Sequence, residues 1–157
     1  MSIMPAYDRR VARSRDIVST AKRSEMMRAV RQRGTAPERA VGAMLRDLGA
    51  RYRLNHPGLP GRPDFANRAC GWAIFVHGCF WHGHRNCRKT KGGASGRVPA
   101  TNAKWWGEKI EANRARDARK SRALRQQGLQ VLTVWECELR HPDNLCRKLR
   151  RFLEAEE

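Results

Sequence analysis

Apolar residues along this chain fall into blocks with two spacings, one helical and one alternating or continuous as in strands. Residues 1–22 mix Arg, Ser and Pro with few apolar positions and no sustained period, and read as a mobile basic arm. Met26, Met27 and Val30 line one side of a short helix that Ser24 would cap and that would run through Arg33. Thr35-Ala36-Pro37-Glu38 has the Thr-x-x-Glu spacing of a capping box. A second helix follows, with Val41, Met44, Leu45 and Leu48 on its apolar face and Gly49 at its end. Arg51 to Leu54 reads as a short strand and residues 55–61 as a loop crowded with Pro and Gly. Arg62 to Ala66 and the run Trp72 to Val76 read as two strands of a hairpin, the second buried, with Asp64 near one end. Residues 77–101 show no period. From Asn102 a long basic helix carries Trp105, Trp106, Ile110, Ala118 and Leu124 as far as Gly128. Gln130 to Trp135 reads as a strand, and Leu145, Leu149, Phe152 and Leu153 as a closing helix. This order predicts an α/β fold, a small mixed sheet flanked by helices, without internal repeats.

At 157 residues the chain suits one core, so residues 23–157 are expected to form a single domain behind the arm. Charge then narrows the partner. Lys and Arg number 33 against 15 Asp and Glu, a net +18, far beyond what solubility requires. The basic residues are spread along the chain rather than gathered on one amphipathic helix, which favours nucleic acid over a membrane surface. No apolar run approaches the roughly 20 residues of a bilayer span. The basic N-terminus lacks the apolar centre of a secretory signal, so a reducing, intracellular location is expected.

In that setting five cysteines, an odd number, point to metal binding or simple burial rather than a disulfide framework. Residues 77–87 hold His77, Cys79, His82, His84 and Cys87, a density of ligand-type groups suited to zinc, which favours four Cys or His ligands in a closed structural site. Cys79, His84, Cys87 and Cys137 are the candidates, with His82 competing for the place of His84. Cys70 and Cys146, beside Trp72 and Leu145, read as buried free thiols. His56 and His141 lie beside prolines and are assigned no role.

Gly61-Arg62-Pro63-Asp64-Phe65, then Phe75-Val76-His77-Gly78-Cys79-Phe80-Trp81-His82, Val98-Pro99-Ala100-Thr101, Trp106 with Glu108-Lys109-Ile110, and Val134-Trp135-Glu136-Cys137 together resemble, in content and order, the Vsr family of very-short-patch-repair endonucleases. The resemblance runs from about Arg23 to Arg140. It implies a restriction-endonuclease-like core and an enzyme that nicks one DNA strand beside a thymine mispaired with guanine. It further implies that Asp64 holds a catalytic Mg²⁺ with the backbone carbonyl of Val76, a position where many members carry threonine. By the same resemblance His82 activates water with His77 in support, Cys79, His84, Cys87 and Cys137 hold a structural Zn²⁺, and Phe80 and Trp81 wedge into the base stack. Glu38 matches a carboxylate near the family's active site, although the capping box accounts for it without catalysis.

These roles agree with the chemistry of the residue types. A carboxylate suits a hard cation that neutralises charge on a phosphate. Histidine starts nearest the pKa that a general base needs. An apolar wedge is opposed least where the bases are already mispaired. The implied partners are double-stranded DNA with a T·G mispair and, functionally, a cytosine methyltransferase and repair proteins; the expected state is a monomer in a bacterial-type cytoplasm, at the nucleoid. Two other readings stay open: a zinc-stabilised nucleic-acid-binding module without catalysis, and a nicking or restriction nuclease that needs no mismatch.

Overall fold

In the computed structural model, residues 19–29, 33–85, 87 and 103–155 are described. Residues 1–18 of the basic arm and the motif at 98–101 lie outside them. The chain divides into two compact units, residues 1–30 and 31–157.

The first unit contains helix α1, Thr20–Ala29. It begins and ends earlier than the expected span from Ser24 through Arg33. The hydroxyl of Ser19 accepts from the backbone N–H of Lys22 at 3.2 Å, so a cap stands upstream and Ser24 falls inside the helix.

The second unit begins with α2, Ala36–Asp47, capped by Thr35, and the side chain of Glu38 reaches back to the Thr35 hydroxyl and to the N–H of Gly34 rather than to the Thr35 N–H of a capping box. Thr35 Oγ1 accepts from the Glu38 N–H at 3.4 Å and donates to Glu38 Oε1 at 2.9 Å, while Gly34 N–H donates to Glu38 Oε2 at 2.7 Å. Three short strands follow, β1 Arg53–Leu54, β2 Phe65–Asn67 and β3 Trp72–His77, each antiparallel to the one before. Helix α3, Ala103–Gln126, then carries the chain back so that β4, Gln130–Trp135, pairs parallel to β3. The sheet order is β1-β2-β3-β4. A 3₁₀ turn at Glu136–Arg140 leads into the closing helix α4, Pro142–Glu154.

Alternation along the strands sorts the core into two layers. Phe65, Trp72, Ile74 and Val134 point to one face, where they meet Val41 and Leu45 of α2 and Leu145 and Leu149 of α4. Ala66, Ala73 and Phe75 point to the other, against Leu124 of α3, Leu59 and Leu129. Burying each large aliphatic side chain contributes about 1.5–3 kcal/mol. The same alternation places His77 on the α3 side, two residues beyond Phe75. The outer strand β4 does not present all its carbonyls to solvent: Lys148 Nζ donates to the Thr133 carbonyl at 3.1 Å and pairs with Glu138 at 2.7 Å.

Two cysteines depart from expectation. Cys70 is exposed, in the turn between β2 and β3, and Cys146 is only half-buried on α4. Proximity in sequence to Trp72 and Leu145 says nothing of the side to which a thiol points.

Candidate active site and metal centre

The parallel strands β3 and β4 end side by side at His77 and Trp135, and the ligand-rich segment leaves from the end of β3. It folds at once into tight turns, with His82 N–H donating to the Gly78 carbonyl at 3.2 Å and His84 N–H to that of Cys79 at 2.9 Å. Gly83 has φ +60, and a Cβ there would lie 2.6 Å from Ile110 Cγ2 and 2.8 Å from Arg114 Cδ. Only glycine lets this turn sit so close on α3.

These turns send His82 and His84 in opposite chemical directions. The Nδ1 of His84 lies 3.4 Å from Cys137 Sγ. Ligand atoms of Cys79, His84, Cys87 and Cys137 all fall within 4.8 Å of one another. A tetrahedral zinc with bonds of about 2.0–2.3 Å needs ligand atoms roughly 3.5–3.8 Å apart, so this set fits with small adjustment. Burial pushes the Cys79 thiol up to about 12, raises that of Cys137 as well, and lowers the imidazole of His84 so that it is neutral. Thiols so placed would act as ligands as thiolates, their protons released to solvent when a cation binds. Cys137 reaches the cluster from the 3₁₀ turn after β4, where Glu138 holds the turn by accepting from the Trp135 N–H at 2.7 Å.

His82 instead joins His77 and Asp117. Its Nδ1 shares a 2.5 Å hydrogen bond with Asp117 Oδ2, and its ring stacks on His77 with centroids 3.9 Å apart and planes at 5°. Three such groups also resemble a metal site by composition and spacing. Yet imidazole lone pairs lie in the ring plane, and two rings stacked in parallel cannot both aim at one ion. The geometry suits proton handling. Burial opposes ionisation of Asp117, but the hydrogen bond and charge of His82 outweigh it and hold the carboxyl below its ordinary value. An ionised Asp117 accepts a hydrogen bond from His82 Nδ1–H, which leaves Nε2 as the ring nitrogen able to accept a proton. Burial, reinforced by His82, lowers His77 to about 4, so the stacked partner stays uncharged.

Asp64, immediately before β2, stands across from the end of β3, where its Oδ2 accepts from the Val76 N–H at 2.7 Å. Burial raises its carboxyl to about 6 despite that bond, and the charge of Glu38 adds to the rise. Glu38 therefore does two things: it ties down the start of α2 through Thr35 and Gly34 and makes the neighbourhood of Asp64 more negative. The charges of His82 and Lys120 offset an ionised Asp64 only in part, since burial still outweighs them, and a divalent metal would supply the remaining compensation.

Phe80 and Trp81 are half-buried and belong to neither core layer. Their rings lie 5.1 Å apart and meet Trp106 at 5.5 and 5.9 Å. Trp106 touches the exposed Trp105 at 4.8 Å, and Lys109 lies over Trp105.

Asp117 escaped the reading of the sequence, although a signal was there. Ile110, Asp117 and Leu124 are spaced by sevens on α3, and the outer two are buried. A carboxylate in the middle of a buried stripe needs a partner, and His82 is that partner. Trp135 was read only as the end of a strand and as part of a motif. Its ring stacks on His84 at 4.1 Å and meets His77 edge-on at 5.4 Å, so it separates the two clusters and touches both.

The chain is similar to known proteins. The family model described as DNA mismatch endonuclease Vsr matches residues 15–89. Similar relatives include the type II nicking enzyme V.XorIIP of Xanthomonas oryzae pv. oryzae, 43% identical over 88% of this chain and 97% of the relative. The DNA mismatch endonuclease Vsr of Escherichia coli is 42% identical over 83% of this chain and 79% of its own. The type II nicking enzyme V.NmeAIP of Neisseria meningitidis is 38% identical over 88% and 94%. With its helix-flanked mixed sheet and relatives matched over 79–97% of their length, the chain belongs to the Vsr family of DNA mismatch endonucleases, enzymes of restriction-endonuclease-like fold that cut phosphodiester bonds.

Proposed function

We propose that this protein nicks one strand of duplex DNA beside the T of a T·G mispair, the product of 5-methylcytosine deamination, and so starts very-short-patch repair. The observation that carries the reading is the histidine stack tied to Asp117 beside the under-compensated carboxylate of Asp64, all at the ends of β3 and β4. Asp64 and the Val76 carbonyl are the residues that would hold Mg²⁺, which supplies neutralisation of charge on the phosphate. His82, oriented by Asp117, takes a proton from the attacking water at Nε2. His77 keeps its place beneath that ring and remains neutral while His82 becomes charged. Glu38 keeps the surroundings of Asp64 negative. Cys79, His84, Cys87 and Cys137 are assigned to structural Zn²⁺, which fixes the turn that bears His82.

Phe80 and Trp81, backed by Trp106, form the wedge that enters the stack at the mispair, where unstacking is least opposed. The basic arm, residues 1–22, is assigned to DNA phosphates, and residues 23–157 to the endonuclease domain. One active site suffices for one nick, so the enzyme acts as a monomer, in the cytoplasm at the nucleoid. A cytosine methyltransferase and repair proteins are its functional associates. Among the described residues no helix is long and apolar enough to cross a membrane.

Family membership disfavours the binding module without catalysis. Relatives named as type II nicking enzymes keep a different specificity in view. The test is strand-resolved cleavage of duplexes that differ only in T·G or C·G at one position, with Mg²⁺. Cutting of the T strand in the mismatched duplex alone, absent in Asp64→Ala, supports the proposal. Equal cutting of both duplexes would leave a nuclease and remove the mismatch requirement.

A further inference from the structure

Lys120 is not accounted for by the chemistry above. It lies one turn beyond Asp117 on the stripe of α3 that faces the active site, and its stem crosses Gly61, three residues before Asp64. Gly61 has φ +74, and a Cβ there would lie 2.6–2.8 Å from Lys120 Cβ, Cγ and Cδ. The loop therefore closes directly onto this side chain and fixes its course. Among the described residues no carboxylate stands within ion-pair distance of its ammonium, whereas Lys148 pairs with Glu138 and Arg114 with Glu111. Its charge is nonetheless felt at Asp64, His77 and Asp117 together. A half-buried, pre-positioned lysine without its own carboxylate leaves its donors available to an incoming anion. The anion the enzyme brings to this place is a DNA phosphate.

We propose that Lys120 is the phosphate-contacting cation of this active site, its ammonium donating to a non-bridging oxygen at the cut. This rests on the active-site reading given above. The lysine places positive charge where negative charge grows as water attacks, and it reaches the phosphate from α3, opposite the strand that carries Val76. No bond to Lys120 forms or breaks.

The test uses Lys120→Met, which keeps the stem over Gly61 and removes the charge, with Lys120→Arg as the variant that retains it. Single-turnover cleavage of a short duplex carrying one T·G mispair is expected to fall on the order of 10–100-fold in Lys120→Met and to recover most of that loss in Lys120→Arg. Binding without added Mg²⁺ provides a readout that packing alone would not move. A neutral methylphosphonate at the cut should weaken binding by wild type several-fold and by Lys120→Met hardly at all, and the salt dependence of Lys120→Met should lose about one unit of slope. Equal losses in the two proteins, with equal slopes, would overturn the proposal. Asp64→Asn separates the two levels: if it cuts like wild type the active-site reading itself falls, and if it is inactive while Lys120 shows no coupling, only the role of Lys120 falls.

Discussion

Asp64 is placed where ionisation is unfavourable, and the consequence is measurable. Its folded-state value of about 6 lies above the ordinary 3.8, so the folded protein holds this proton more tightly than the unfolded chain does. The associated stability is fully present below the ordinary value and is lost as pH rises through about 6. Asp64→Asn should therefore abolish cleavage and yet raise stability at pH 7.5 by about 1–3 kcal/mol, a gain that shrinks towards pH 4.5. Thermal melts of both proteins at the two pH values check this, and a variant no more stable at pH 7.5 contradicts it. Asp117 tests the neighbouring pair. Asp117→Asn removes the charge that fixes the His82 tautomer, and cleavage should fall on the order of 10²–10³-fold with DNA affinity nearly unchanged. Equal losses in rate and binding would point instead to a collapsed site.

At the level of elements, the turn at residues 78–84 is held from two sides, by α3 and by the Cys/His cluster. Gly83→Ala introduces a Cβ into Ile110 and Arg114 at a left-handed backbone position, and should destabilise the fold by about 2–4 kcal/mol, read by denaturant unfolding. A loss below about 1 kcal/mol would show that α3 yields easily. Trp135 couples the clusters by packing: His84 stacks on one part of its ring and His77 meets it edge-on. Cys87→Ala should accordingly lower bound zinc, measured by elemental analysis, and cleavage together. Retention of full cleavage without zinc would separate the metal centre from the histidine stack. The strands themselves are short, and β1 has only two residues. The sheet therefore depends on the helices packed on both faces rather than on its ladders.

Over the whole molecule, the balance of 33 basic to 15 acidic residues governs how the enzyme meets DNA. Binding should weaken by roughly 10³-fold or more between 50 and 200 mM salt, with a steep linear log–log dependence, as expected for several phosphate contacts. A shallow dependence would show that most of this charge does not face the duplex. The two-layer core sets stability separately from that surface. Leu149 is fully buried between α4 and the sheet, and Leu149→Ala should cost about 2–5 kcal/mol while leaving the rate of the folded protein intact at low temperature.

Much of this was legible because it is local. The Thr35 to Glu38 start signal, the continuous apolar run of β3 and the apolar positions from Trp105 to Leu124 are short-range patterns with short-range physics, and the elements formed there. The motif blocks were legible for the same reason, as neighbouring residues with distinctive chemistry. Helix α1 was misplaced because Ser19 and Ser24 are equivalent cap acceptors in sequence and differ only in which one a backbone N–H reaches. Cys70 was misread because burial belongs to a direction in space, not to a neighbour in the chain. The choice between His82 and His84 was beyond the sequence: both are histidines a few residues past Cys79, and only the turn around Gly83 sends one to Cys137 and the other to Asp117. Asp117 and Trp135 joined the cluster only when α3 crossed back and β4 paired with β3, which brought residues 35 or more positions apart within hydrogen-bonding and stacking distance. The sequence by itself determined the elements, the charge and the kinds of chemistry available; tertiary structure decided which groups meet, because proton transfer and metal binding depend on distances of a few ångströms that no local pattern sets.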